Sequence, residues 1–114
     1  MPLEAFIEKI KTEPETVSFE ETIAAIEEHY DFSETAFSNG SMHNESGQNN
    51  GSCRIFAFAT LHQLTPQQTL HCFGDYYRND VLQNPHGDDH QNIRNFMQHG
   101  WQGVSFNADA LVPK

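Results

Sequence analysis

The chain has 114 residues, enough for one domain with a buried core and no need of covalent staples. Nine Phe, three Tyr and one Trp against a mean hydropathy of −0.63 describe a folded domain with a polar surface, because disordered chains are short of aromatics. A formal charge of −10, from 16 acidic and 6 basic residues, argues against binding to nucleic acid or to an anionic membrane surface, both of which call for clustered Lys and Arg.

The negative charge is concentrated early, in Glu4, Glu8, Glu13, Glu15, Glu20, Glu21, Glu27, Glu28, Asp31 and Glu34. Solvated helix faces are the simplest account of it. The stretch Pro2-Leu3-Glu4-Ala5-Phe6 is acidic and amphipathic, unlike the basic and then apolar start of a signal peptide. No apolar run approaches the roughly 18 residues that a membrane span needs. Cys53 and Cys72 allow at most one disulfide, and free thiols in a reducing cytoplasm are expected.

In chain order, Leu3, Phe6, Ile7 and Ile10 recur at helical spacing and predict a short amphipathic helix over 3–11, broken at Pro14. Ser18-Phe19-Glu20-Glu21 is a capping box, and Phe19, Ile23, Ile26 and Tyr30 come next on one face of a second helix. Asn39-Gly40 is a hairpin-turn signal, with Val104-Ser105-Phe106 as a candidate third strand. Residues 44–52 are polar and glycine-bearing, long enough for a shaped loop. Ser52 can cap a helix beginning at Cys53, apolar nearly all round and so buried. Thr65-Pro66-Gln67-Gln68 combines a capping box with Pro at the first helical position, and Leu70, Phe73, Tyr77 and Val81 supply that helix's inner face. Asp88 or Asp89 can cap a last helix through Phe96 and Met97, closed by Gly100.

Three segments carry a resemblance. Asn44-Glu45-Ser46-Gly47-Gln48-Asn49-Asn50-Gly51-Ser52-Cys53-Arg54-Ile55-Phe56-Ala57-Phe58-Ala59 is similar to the signature segment of the HopJ type III effector family. Gln68-Thr69-Leu70-His71-Cys72-Phe73-Gly74-Asp75-Tyr76-Tyr77-Arg78 resembles its second block. His90-Gln91-Asn92-Ile93-Arg94-Asn95-Phe96-Met97, followed by Gly100-Trp101, resembles its third. The resemblance implies a relative of proteins assigned to type III secretion in plant-pathogenic bacteria, and it implies no specific chemistry. The amphipathic helix begins at Leu3, without the extended Ser-rich leader expected of a secreted effector. A cytoplasmic protein is therefore expected, with secretion into a host cell by a type III system as the alternative.

Three constellations can carry chemistry. Cys53 at a helix start would feel the positive end of the helix dipole, which favours thiolate. His86 or His90, beside Asp88 and Asp89, can supply a base, and Gln48 or Asn49 can help hold an oxyanion. A buried cysteine in ordinary packing explains the same residue. The amides Asn44, Gln48, Asn49 and Asn50, with Glu45, can line a pocket for a polar ligand or can satisfy the backbone of a long loop. His71, Asp75, His86, Asp88 and His90 can be gathered into a metal site, but no HExxH or CxxC spacing supports one, and no metal or cofactor is expected. Arg78 and Arg94 can clamp a carboxylate or can pair internally with Asp75, Asp80 or Glu45.

The expected fold is α+β and α-dominant: about five short helices packed around a small β-hairpin or three-stranded sheet, in one domain over residues 1–114. The expected function is a non-enzymatic binding domain for a small polar ligand or a protein partner. Its site is placed at Asn44, Glu45, Gln48, Asn49, Ser52, Asn92, Arg94 and Arg78. The alternative is a hydrolase or acyltransferase using Cys53 with His86 or His90, and a metal-dependent enzyme is a third reading.

Overall fold

The spacing of Leu3, Phe6, Ile7 and Ile10 does form an amphipathic helix, α1 (Leu3–Thr12), in the computed structural model, which describes residues 2–114. Phe6 and Ile10 are fully buried along its inner face. A 3-10 turn, Pro14–Thr16, leads into α2 (Phe19–His29). The Ser18 hydroxyl accepts from the Glu21 N–H at 3.0 Å, and the Glu21 carboxylate accepts in return from the Ser18 N–H at 3.4 Å. That carboxylate also takes Lys9 Nζ at 2.8 Å, so the cap that starts α2 ties it to α1.

Strand β1 (Tyr30–Phe32) continues from α2 without a loop, and then come β2 (Phe37–Asn39) and β3 (Met42–Asn44). The predicted hairpin forms, but its turn is displaced by one residue. Asn39 pairs with Met42, so the two-residue loop is Gly40-Ser41, with φ +62° at Gly40. Positive φ at the first central residue alone is the type II′ pattern. A side chain there would also meet His99 Cδ2 at 2.3 Å. Asn39 thereby stays in the strand and turns inward, fully buried. Strand β4 (Val104–Phe106) adds to β2 as expected, giving the antiparallel order β3-β2-β4.

Helix α3 (Asn50–Leu61) is the buried helix that its all-round apolar character predicts. Its Phe56 ring lies 5.0 Å from Phe96, 5.5 Å from Phe73 and 6.1 Å from Phe37, and its Phe58 ring lies 6.1 Å from both Phe6 and Tyr30. Each such ring contributes on the order of 2–3 kcal/mol through burial alone. The helix begins three residues earlier than the Ser52 cap implied, because Asn49 occupies the N-cap.

The next helix is likewise shorter at its far end. Helix α4 (Pro66–His71) keeps the Thr65/Gln68 capping box, but Gly74, at φ +62°, ends the helical run. The Phe19 backbone nitrogen lies 2.5 Å from where a Cβ on Gly74 would stand, so the close approach of α2 requires glycine. The chain resumes as a π-helical turn, Tyr76–Val81. Leu70, Phe73, Tyr77 and Val81 are all buried as predicted, but on α4, the turn after it and the π-helical turn rather than on one helix. Helix α5 (Gln91–His99) has His90 as its N-cap, where Asp88 or Asp89 was expected.

A second sheet was not foreseen: β5 (Leu111–Pro113) pairs antiparallel with β1. Three residues are too few to show an alternation, and a proline argues against a strand except at an edge. Among the described residues, no helix is long and apolar enough to cross a membrane.

Arg78 fastens the π-helical turn to the N-terminal part of the fold. Its guanidinium donates to the carbonyls of Pro14 at 3.2 Å, His71 at 3.3 Å and Val17, and Nη1 lies 3.1 Å from His71 Nδ1. It makes none of the ion pairs with Asp75, Asp80 or Glu45 that the sequence suggested. His71 is held below its ordinary value of 6.5, first by burial and then by the Arg78 charge. His62 is lowered in the same way, by burial and by Lys11.

Replacing Arg78 with Met should cost about 2 kcal/mol in urea unfolding, because three carbonyls lose a charged donor. The native protein should also lose stability as pH falls below 6.5, since the unfolded chain takes up the His62 and His71 protons first. The Arg78→Met variant should show a shallower acid slope, with the His62 share remaining. An unchanged slope would mean that Arg78 does not act on His71.

Candidate functional site

Four asparagines join the hairpin to the starts of α3 and α5. Asn44 is fully buried; its Nδ2 donates to Asn92 Oδ1 at 3.2 Å and to the Phe37 carbonyl at 3.4 Å. Asn92 Nδ2 returns a bond to Asn44 Oδ1 at 3.0 Å, and Asn49 Nδ2 reaches the same oxygen at 2.7 Å. Asn39 Nδ2 donates to the Asn92 carbonyl at 2.7 Å and to Asn92 Oδ1 at 3.0 Å. A buried amide costs free energy unless its groups are paired, so this pairing, in which Asn39 Oδ1 alone of the four side chains' buried atoms lacks a partner among the described residues, fixes where each segment sits.

The two helix starts held by this network are alike. Asn49 and His90 are both in the left-handed region, at φ 52° and 50°, and neither α3 nor α5 is capped by a side chain. Asparagine tolerates that conformation better than histidine does. Among the described residues, the N–H groups of residues 50–52 and 91–93 meet no protein acceptor.

Both starts open on one cleft of about 330 Å³. Asn49, Ser52, His90, Gln91 and Asn92 give it polar walls, and Phe19, Phe73, Tyr76 and Ile93 give it apolar ones. The His90 ring lies 5.2 Å from the Tyr76 ring, and its Nε2 is 3.0 Å from Asp80 Oδ2.

Of the residues singled out in the sequence, Asn49, Ser52, His90 and Asn92 share this cleft. Asn44 lies behind it as the hub of the amide network. Glu45 and Gln48 are exposed and bond to each other, with the Glu45 N–H donating to Gln48 Oε1 at 3.0 Å. Arg94 closes the loop before α5: it donates to Asp89 Oδ1 and the Asp89 carbonyl, each at 2.6 Å, and to the Asn84 carbonyl at 2.9 Å. The Arg94 hydrogen bond, more than its charge, holds the Asp89 carboxyl below the usual range. His86 is exposed in that loop, and Arg78 is committed to the carbonyls already described. Among the described residues, no three His, Cys, Asp or Glu side chains are grouped to hold a metal ion.

Cys53 is fully buried a full turn inside α3, and its thiol donates to the Thr35 carbonyl at 3.6 Å. Burial pushes this thiol up, against smaller lowering effects of that bond and of Arg54. These features do not favour Cys53 as a nucleophile, because the dipole effect fades beyond the first turn and thiolate is disfavoured. Sequence reasoning missed Phe19, Phe73, Tyr76 and Gln91 as walls and Asp80 as the partner of His90. Tyr76 lies in the second block and Asp80 two residues past its end, a spacing of four that places them on one face only once the helical turn is known.

Compared with known proteins, residues 3–111 match the family model described as HopJ type III effector protein. A solved structure described as "Crystal structure of unknown function protein VPA0580" is similar to the chain, with a TM-score of 0.99 and 50% identity. The match covers 100% of this chain and 95% of that one, so every element of the cleft lies within it. No curated protein matches the chain.

Asn92→Ala should lower stability by about 2–3 kcal/mol in urea unfolding, since it strands the amides of Asn44 and Asn39. Asn92→Asp should cost at least as much near neutral pH by burying a charge against Asn44 Oδ1. A loss below about 0.5 kcal/mol would show that the network is ornamental. Both thiols should alkylate slowly with iodoacetamide in the native protein and quickly in urea, as Cys53 is raised by burial and Cys72 is pushed up to about 12. Fast, selective native labelling of Cys53 would restore the nucleophile reading.

Proposed function

The chain belongs to the HopJ type III effector family, and we propose that it is a binding domain whose ligand, a small polar molecule, occupies the cleft between the starts of α3 and α5. The observation that carries this reading is the convergence of two uncapped helix starts on one cleft with aromatic walls. Free first-turn N–H groups favour ligand oxygens, and the positive ends of two helix dipoles add to that preference. Phe19, Phe73 and Tyr76 suit an apolar body. The ligand class is therefore a molecule with oxygen acceptors on a compact apolar frame. The two strained caps support the same reading: a left-handed non-glycine residue costs on the order of 1 kcal/mol, and the amide network holds Asn49 in place.

A cysteine hydrolase or acyltransferase is the weaker reading, because Cys53 lies outside the cleft and is fully buried. The family supports a host cell, reached through a type III system, as the place of action, with the cytoplasm of the producing cell as the alternative.

Small carboxylic acids and amides titrated into the ¹⁵N-labelled chain should shift the amide signals of Asn49, Ser52, Tyr76, His90 and Asn92 together. Ser52→Phe, which fills the cleft, should weaken that binding at least about tenfold. Binding that gathers instead in the hollow beside Leu82 and Met97, or that survives Ser52→Phe unchanged, would sink the proposal.

A further inference from the structure

Asp80 and His90 approach from different elements, the π-helical turn and the start of α5. An ionised carboxylate only accepts, so the 3.0 Å contact between Asp80 Oδ2 and His90 Nε2 places the proton of the neutral ring on Nε2. Nδ1 then keeps its lone pair. Among the described residues, no group hydrogen-bonds Nδ1. The second carboxylate nearby, Asp89, stands 3.8 Å from Nε2 and is itself occupied by Arg94 at 2.6 Å. The ring is therefore oriented by Asp80, flanked by Tyr76, and left with one bare acceptor in a residue that lines the cleft. A carboxylate that orients an imidazole in this way fixes its tautomer and the direction of its ring.

This arrangement supplies what the helix starts lack. Their N–H groups can only donate, and so serve only the acceptors of a ligand. Resting on the reading of the cleft as a binding site, we propose that His90 Nδ1 selects the ligand by accepting a hydrogen bond from it. The class of ligand that fits is an aromatic hydroxyl or heteroaromatic N–H compound. Its ring lies among Phe19, Phe73 and Tyr76, its O–H or N–H points to Nδ1, and a neighbouring oxygen takes the helix N–H groups. Tyr76 already packs edge-on against Phe19 with centroids 5.0 Å apart, a geometry that extends to a further ring. Asp80 is a positioning residue in this scheme, acting through His90.

Phenol and anisole test the proposal, because they share a ring and differ in the hydroxyl proton. In ¹⁵N NMR titrations of the full chain at about pH 7.5, phenol should shift Ser52, Tyr76, His90 and Asn92 and bind at least about fivefold tighter than anisole. Asp80→Leu, which releases the ring without altering the cleft walls, should shrink that preference. The His90 ring nitrogens, read through their two-bond proton couplings, should show Nε2–H with Nδ1 unprotonated in the free wild-type chain, and this readout needs no variant to fold. Equal binding of phenol and anisole in the cleft, or an Nδ1–H tautomer, would overturn the role of His90 and leave the cleft as the site. Shifts confined to residues outside the cleft would overturn both.

Discussion

The pairing of Asn39, Asn44, Asn49 and Asn92 is the interaction on which the cleft depends. Two pieces of chain far apart in sequence meet there: the hairpin with the loop that follows it, and the first turn of α5. Apolar packing alone tolerates sliding by fractions of an ångström, whereas a set of buried amides is satisfied in few arrangements. The network thus converts a generic contact between hairpin and helices into a fixed geometry. It also explains why the loop is rich in asparagine although only Asn49 of its amides reaches the cleft surface.

Stability and recognition are divided between the ends of the same helices. From Cys53 onward α3 is nearly all core, with Ile55, Phe56, Phe58 and Ala59 fully buried, while its first turn, with Gly51 and Ser52, is cleft wall. Helix α5 repeats the division: Phe96 packs inward while Gln91, Asn92 and Ile93 line the cleft. A site built on the ends of packed helices inherits their rigidity, which suits a pocket that must hold its donors in place before any ligand arrives.

Much of the fold was legible because its signals are local. The two capping boxes, the apolar periodicity of α1 and α2, and the Gly40 turn each act within a few residues, and each is present. The polar loop and the residues around Asn92 were placed at one site as an expectation about polar side chains, with no periodicity behind it, and Asn44 and Asn92 do bond to each other. The features that escaped were set by tertiary contact. Nothing in the residues around Asn49 and His90 announces that both would be left-handed caps, since Ser52 is as good a cap by composition as Asn49 and Asp89 a better one than His90. Arg78 looked like a partner for acids but serves carbonyls, because the chain end of α1 and the start of α2 bring Pro14 and Val17 to it. Cys53 looked like a helix-start thiol only while the start was misplaced by one turn.

The π-helical turn at Tyr76–Val81 carries a constraint on how this chain can vary. A π-turn holds one residue more than an α-turn between hydrogen-bonded groups, as in the bond from the Leu82 N–H to the Tyr77 carbonyl at 3.0 Å. The wider turn takes up that residue locally, so removing one residue between Tyr76 and Asp80 and returning to α-helical winding would leave the two ends of the segment nearly in place. Tyr76 beside Phe19 and Asp80 beside His90 could then still serve the same cleft. The loss would fall between them, where Tyr77 is held in the core and Arg78 on the carbonyls of Pro14 and Val17. A one-residue change of length in this segment would therefore disturb the anchor of the turn before it disturbed the cleft.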